Sequence, residues 1–291
     1  ITVENHLDEE TSAVVKTSVY ELDSLDCLGK RVLSFSDQTL KLAPQGSGKI
    51  DLQETLTDCK RWDIESPNRY MACVTIQVDG QETDRYFTPF GVRDIRVSRE
   101  GFFLNGRRVA IKGVCNHHDL GALGAAFNLS AWERQFRIMQ EMGCNSIRTS
   151  HNPPAPELLD LADKKGILIM DEAFDAWANG KREWDYNKLY AEWHEKDLEA
   201  LVRRDWNHPS VVFWSIGNEV MEQQNIEMTK HLVDIVKKLD KTRPVTNGYN
   251  DPNGGRASGA SKALDVMGVN YFFYEQAKWD ADAYYKNMPT I

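Results

Sequence analysis

Residues 211–219 read Val-Val-Phe-Trp-Ser-Ile-Gly-Asn-Glu. The first six form an unbroken run of mostly β-branched and aromatic residues, the pattern of a strand buried on both faces, as in a parallel sheet. The run then stops at Gly217, Asn218 and Glu219. A carboxylate at the end of a buried strand is costly unless it is partnered or used. In an α/β barrel the C-terminal strand ends are where reacting groups gather, so the reading turns on what the neighbouring strands carry to the same end.

Working outward, residues 110–114, 146–149, 167–170, 244–248 and 265–269 are further short apolar runs, and amphipathic helical patterns separate most of them. Trp132, Phe136 and Met139 mark one helix, expected from Ser130 to about Met142 with Ser130 as its cap. Leu158, Leu159, Leu161 and Ala162 mark a second that stops at Gly166, and residues 189–204 a third. Leu232, Ile235, Val236 and Leu239 mark a fourth, and residues 274–286 a last helical stretch. Strands alternating with helices indicate βα units and a parallel sheet. The expected fold is a TIM-type (β/α)8 barrel truncated after about six units, over residues 93–291, where closure needs eight. Residues 1–92 differ. They alternate with period two, carry turn signals such as Asp79-Gly80, and lack a helical pattern. They read as an immunoglobulin-like β-sandwich with no site of its own. A second hairpin, turning at Asn105-Gly106, leads into the barrel.

The chain has 291 residues, 41% of them hydrophobic, and a formal net charge of −9. That balance supports real cores and argues against nucleic acid or an anionic membrane as partner. No run has the length of a membrane-spanning helix. The chain starts at Ile1, in what looks like a strand already under way, so it is expected to be an excised piece of a longer protein. The five cysteines are odd in number and form no CxxC pair, which points to buried free thiols rather than a zinc site or a disulfide framework.

Beyond each barrel strand lie hydrogen-bonding side chains: Asn116, His117 and His118; Arg148, Ser150, His151 and Asn152; Asp171, Glu172 and Asp175; Asn218 and Glu219; Asn247 and Tyr249; Asn270 and Tyr271. Core packing does not require that; a concave polar site does. Carboxylates, amides, imidazoles and aromatics together suit a hydroxyl-rich ligand, with Trp177 and Trp184 as candidates to stack on sugar rings. Bland roles compete: Arg148 pairs with Asp171 or Glu172, those two carboxylates brace the mouth, and Trp206 sits structurally at the opposite end. His117, His151 and Glu219 lack recognised ligand spacing, so no metal is expected.

Four stretches, Val-Cys-Asn-His-His at 114–118, Arg-Thr-Ser-His-Asn-Pro-Pro at 148–154, Asp-Glu-Ala-Phe-Asp at 171–175 and Trp-Ser-Ile-Gly-Asn-Glu at 214–219, resemble glycoside hydrolase family 2. Arg61 to Asn68 resembles the signature near the end of that family's immunoglobulin-like domain, so the resemblance spans the whole chain. It implies a retaining exo-β-glycosidase acting on terminal β-linked sugars by double displacement, with no cofactor. Glu219 would be the acid/base, Asn218 would hold the 2-hydroxyl, and Tyr271 would stand beside the nucleophile. His117, His151, Arg148 and Asp175 would join them in binding the sugar. Asp175 and Trp177 fall where some members place a magnesium-binding carboxylate and histidine, and the histidine is missing here. β-Galactosidase is favoured over β-glucuronidase and β-mannosidase, with a non-catalytic carbohydrate-binding barrel as the reading from another class. The parent is expected to be periplasmic or secreted, with homo-oligomerisation allowed. The nucleophile is expected at strand seven, beyond Ile291, which would leave the 291 residues alone inactive and the edges of strands one and six unpaired. Glu275, Asp280 and Asp282 are expected to lie outside the mouth.

Overall fold

The computed structural model describes residues 1–271 and 288–291. The chain divides into two compact units, one formed by Ile1–Trp62 and Ser66–Val92, the other by Asp63–Glu65 and Arg93–Ile291.

The first unit is all β. Its strands are β1 (Thr2–Glu4), β2 (Thr11–Leu22), β3 (Leu28–Ser34), β4 (Gln38–Leu42), β5 (Ser47–Lys49), β6 (Arg69–Val78) and β7 (Gln81–Phe90). One sheet has the order β3-β2-β6-β7 with β4 also paired to β2, and β1 pairs with β5 separately. The period-two pattern of β2 turns Ala13, Val15, Val19 and Leu22 inward. Asp79 and Gly80 both take positive φ, 51° and 76°, which gives the tight turn that sets the β6–β7 register. This is the immunoglobulin-like sandwich expected from the alternation.

The second unit opens with an antiparallel sheet of β8 (Ile95–Ser98), β9 (Gly101–Leu104) and β10 (Arg107–Val109). Six parallel strands follow in sequential order: β11 (Gly113–His117), β12 (Ser146–Ser150), β13 (Leu168–Glu172), β14 (Val211–Asn218), β15 (Val245–Tyr249) and β16 (Gly268–Val269). Between them run α1 (Leu129–Glu141), α2 (Pro156–Lys165), α3 (Asn187–Asp205), α4 (Ile226–Leu239) and the short α5 (Pro252–Ser258). All eight residues of β14 are buried, with Trp214 and Ile216 in one core with α1–α4. This is a partial (β/α)8-type barrel, with six of its eight strands among the described residues. Phe102 of β9 packs on Phe213 inside it, with ring centroids 5.7 Å apart.

Several boundaries correct the sequence reading. The first barrel strand is Gly113–His117 rather than 110–114. The Asn145 side chain accepts from the Lys112 N–H and donates to the Ala110 carbonyl, so this apolar stretch bonds to a side chain and the ladder starts at Gly113. Asn116 and His117 therefore lie in the strand. Helix α1 is capped by Asn128, whose side chain accepts from the Ala131 N–H, and Ser130 lies inside the first turn. Leu239 is only partly buried. The five thiols are free but none is buried; Cys27, in the turn before β3, and Cys115, in the middle of β11, are exposed. The outer edge of β16 is not bare: Met267 and Thr290 form a parallel bridge, and Val269 N–H donates to the Ile291 carbonyl at 2.8 Å. Strand β11 pairs with β12 alone among the described residues. The helical stretch expected at residues 274–286, with Glu275, Asp280 and Asp282, lies outside the described residues.

Candidate active site

Four strand ends, those of β12, β13, β14 and β16, bring polar side chains into one hydrogen-bonded network, which β15 joins through the Gly248 carbonyl. Its hub is Arg148 at the end of β12. The Arg148 guanidinium donates through Nε and Nη2 to Glu172 Oε2 at 2.8 and 2.6 Å, and through Nη2 to Asn218 Oδ1 at 2.9 Å. Glu172 has no exposed surface, and a bare carboxylate there would be prohibitive. It is held by Arg148, by the Ser215 hydroxyl at 2.6 Å and by His151 Nδ1 at 2.5 Å. Burial alone would lower the basicity of Arg148; the Glu172 charge beside it outweighs that and raises it. Of the two partners left open for Arg148, Glu172 is the one it takes. Asp171, its neighbour in β13, lies beside Asp205 of α3 instead, as strand alternation requires. Burial, then the Asp205 charge, pushes Asp171 well above the usual carboxylate range.

Asn218 is fixed from three sides. Its oxygen accepts from Arg148 and from Asn270 Nδ2 at 3.2 Å, and its nitrogen donates to Asp175 Oδ1 at 2.8 Å. Asp175 also accepts from Lys181 Nζ at 2.7 Å, and Lys181 reaches the Asn218 carbonyl at 2.7 Å. Burial would raise the Asp175 carboxyl, but the Asn218 amide and Lys181 ammonium outweigh it and hold it below the usual range.

Glu219, the residue after β14, is half-buried and takes φ +47°. Its N–H donates to the Gly248 carbonyl at 2.8 Å, and its Oε1 accepts from Asn270 Nδ2 at 2.8 Å. The Tyr271 hydroxyl faces the Glu219 carboxylate, and interaction with that negative group raises the Tyr271 phenol pKa. Tyr271 also has positive φ, +70°. Positive φ is uncommon outside glycine, and for a large side chain it marks strain kept for a purpose. No carboxylate is among the hydrogen-bond partners of Glu219 within the described residues. His117 joins the group through an edge-to-face contact with His151, ring centroids 5.1 Å apart. A cavity of about 520 Å³ opens here, lined by His117, His151, Asp175, Trp184 and Tyr186, though not by Glu219 itself.

All seven residues expected at the site thus meet at one end of the sheet. Sequence reasoning placed Asn270 at its strand end without giving it a role, and left out Lys181 and a role for Ser215. Asn270 had a signal, since it ends its strand as Asn218 does; Lys181 sits in a loop and had none.

Residues 95–288 match the family description "Glycosyl hydrolases family 2, TIM barrel domain", and residues 1–93 match "Glycosyl hydrolases family 2". The chain belongs to glycoside hydrolase family 2. It is 46% identical over 254 residues to "Beta-galactosidase BoGH2A" of Bacteroides ovatus, covering 75% of this chain and 30% of that protein. A "Putative beta-glucuronidase" of Formosa agariphila is 35% identical over 91% of this chain and 24% of its own length. Among solved structures, a family 2 member from Bacteroides cellulosilyticus superimposes with TM-score 0.86 at 30% identity, covering 97% of this chain and 36% of that one. The chain therefore spans between about a quarter and a little over a third of the length of these relatives.

Two expectations from the sequence need correction or closure. Trp177 cannot stack on a sugar: it has no exposed surface, and its indole N–H donates to the Ile216 carbonyl at 2.8 Å. Nor do Asp175 and Trp177 fit a magnesium site, because one is an enclosed indole and the other already carries the Lys181 ammonium. Trp184, 81% exposed beside the cavity, keeps its candidacy.

Proposed function

We propose that the protein carrying this chain is a retaining exo-β-galactosidase in which Glu219 is the general acid/base. The observation that carries this reading is the placement of Glu219: half-buried, at positive φ, and oriented by Asn270 beside a rigidly held Asn218. In such a mechanism one carboxylic acid protonates the leaving oxygen and then, as carboxylate, takes a proton from water. Asn218 presents an amide to the sugar without freedom to turn, and His117 and His151 offer donors at the rim. The nucleophilic carboxylate is assigned to a further barrel strand, since Glu172 and Asp175 are committed to Arg148 and Lys181.

Galactose is favoured over glucuronic acid because the Bacteroides ovatus relative named a β-galactosidase has the higher identity, 46% against 35% for the Formosa relative named a putative β-glucuronidase. In the full-length protein, chromogenic β-galactoside should be hydrolysed and β-glucuronide should not; the reverse outcome defeats the substrate choice. Glu219→Gln should lower turnover of an alkyl galactoside by about 10²–10⁴-fold, with less loss on a strongly activated aryl galactoside. Unchanged alkyl turnover in that variant defeats the assignment of Glu219.

A further inference from the structure

Away from the mouth, the outer helices α3 and α4 bring together His194, Glu195 and His231, whose ligand atoms all lie within 4.8 Å of one another. His194 Nδ1 is 2.6 Å from the Tyr190 carbonyl one turn earlier. A carbonyl only accepts, so Nδ1 carries the proton and Nε2 presents its lone pair. The imidazole is held in that pose by stacking on the Tyr190 ring, with centroids 4.3 Å apart and an 8° interplanar angle. His194 Nε2 faces His231 Nε2 at 3.2 Å, and His231 Nε2 lies 3.0 Å from Glu195 Oε1. Two acceptors and one N–H thus converge, and a single proton holds all three atoms together.

We propose that this cluster is a zinc-type metal site that ties α3 to α4. Two imidazoles and a carboxylate are a donor set for zinc and its transition-metal neighbours, not for magnesium or calcium, which prefer oxygen alone. Ligands about 2.0–2.1 Å from a tetrahedral zinc stand roughly 3.3 Å from each other, close to the spacings already present. The metal takes the place of the shared proton, which passes by way of solvent to His231 Nδ1 so that the neutral imidazole ligates through Nε2; water completes the coordination. The Tyr190 carbonyl supplies the outer hydrogen bond that orients a ligating histidine. The exposed Glu195 side chain is free to close the remaining distance. Neighbouring ammonium groups are occupied, Lys230 by Asp234 and Lys238 by Glu199, and do not crowd the ion.

The test is zinc titration of the chelator-stripped full-length protein by calorimetry, with thermal unfolding alongside. Wild type should take up one zinc at this site and gain about 2–4 °C in Tm at saturation. His194→Ala and His231→Ala should each weaken that binding at least tenfold, and the double variant should lose the Tm gain. All four proteins should hydrolyse substrate equally, because none of the three residues is at the mouth. Zinc uptake of the same strength in the double variant, as from the exposed thiols of Cys27 and Cys115, would overturn the proposal. So would wild-type protein that takes up no zinc. Since His231 and Glu195 are exposed, His231→Ala and Glu195→Gln keep the fold, and loss of binding in them reports on the ligands themselves.

Discussion

The two ends of the parallel strands both carry buried charge, yet they are built differently. At the N-terminal end, Arg243 donates to Asp240 at 2.7 Å and to the carbonyls of Val211, Trp206 and His208. Arg93 reaches the carbonyls of Pro209 and Val211, both at 2.8 Å. His208 bonds to Asp163 at 2.7 Å. These groups tie loop backbone to the strand starts, and their bonds close on the chain itself. Burial, then the Arg243 charge, draws Arg93 down to about 9, a cost the fold carries with no substrate in prospect. At the C-terminal end the network is just as dense, but it borders a cavity and ends on a half-buried glutamate at positive φ. Buried charge alone does not identify a site; buried charge that stops short of closing on itself does.

Substitution should separate the two ends most sharply. Glu219→Gln should remove most turnover while leaving the urea midpoint almost unchanged. Arg243→Ala should do the opposite, destabilising by about 3–5 kcal/mol because it strands Asp240 in the interior, with kcat kept in whatever fraction stays folded. A Glu219→Gln protein that unfolds as readily as Arg243→Ala would erase the distinction.

The next effect in size is the pH dependence of the N-terminal end, where two groups titrate with opposite sign. Burial alone would raise Asp240; Arg243 and Thr242 outweigh it and depress the carboxyl to about 2. Its stabilisation is therefore complete above the unfolded pKa of about 3.9 and is lost as pH falls through about 2. The span corresponds to about 2 kcal/mol. Asp240→Asn should flatten that acid limb in urea melts, and a limb of unchanged slope counts against the pairing. For His208, burial lowers the imidazole pKa, but Asp163 outweighs it and raises it. Its contribution is present below about 6.5 and fades as pH rises through the folded value, so His208→Gln should flatten the alkaline side.

The smallest contrast lies within one loop. Trp177→Phe should cost about 1–2 kcal/mol, since it removes the donor to the buried Ile216 carbonyl. Trp184→Ala, at an exposed position, should stay within about 0.5 kcal/mol. Equal losses at both would contradict the burial difference.

Those two tryptophans also show where sequence stops being readable. Both follow the third strand; Trp177 stands between Ala176 and Ala178 and Trp184 between Glu183 and Asp185, a weak local hint that becomes a burial difference only in the fold. The barrel itself was legible because a strand buried on both faces has a distinctive run, and β14 matches it at each position from Val211 to Asn218. The start of the first barrel strand was not, because Asn145, more than thirty residues away, takes the backbone bonds that the apolar pattern assigned to a ladder. Arg148 with Glu172 was legible as a pair of alternatives, and the choice between Asp171 and Glu172 follows from which face of β13 each occupies. Lys181 was invisible, since a lysine in a loop has no pattern until its Nζ is seen on Asp175 and the Asn218 carbonyl.

The left-handed backbone at Glu219 has a bearing on how this protein can drift. Glycine or asparagine would sit at φ +47° more comfortably than glutamate does. Folding stability therefore exerts no pull toward glutamate there, and a random walk constrained only by the fold would abandon it early. Tyr271, at φ +70°, is in the same position. Each is a residue that only a demand other than stability would retain, so a lineage that lost its substrate should decay first at these two sites, with Arg243 and Asp240 among the last residues to change.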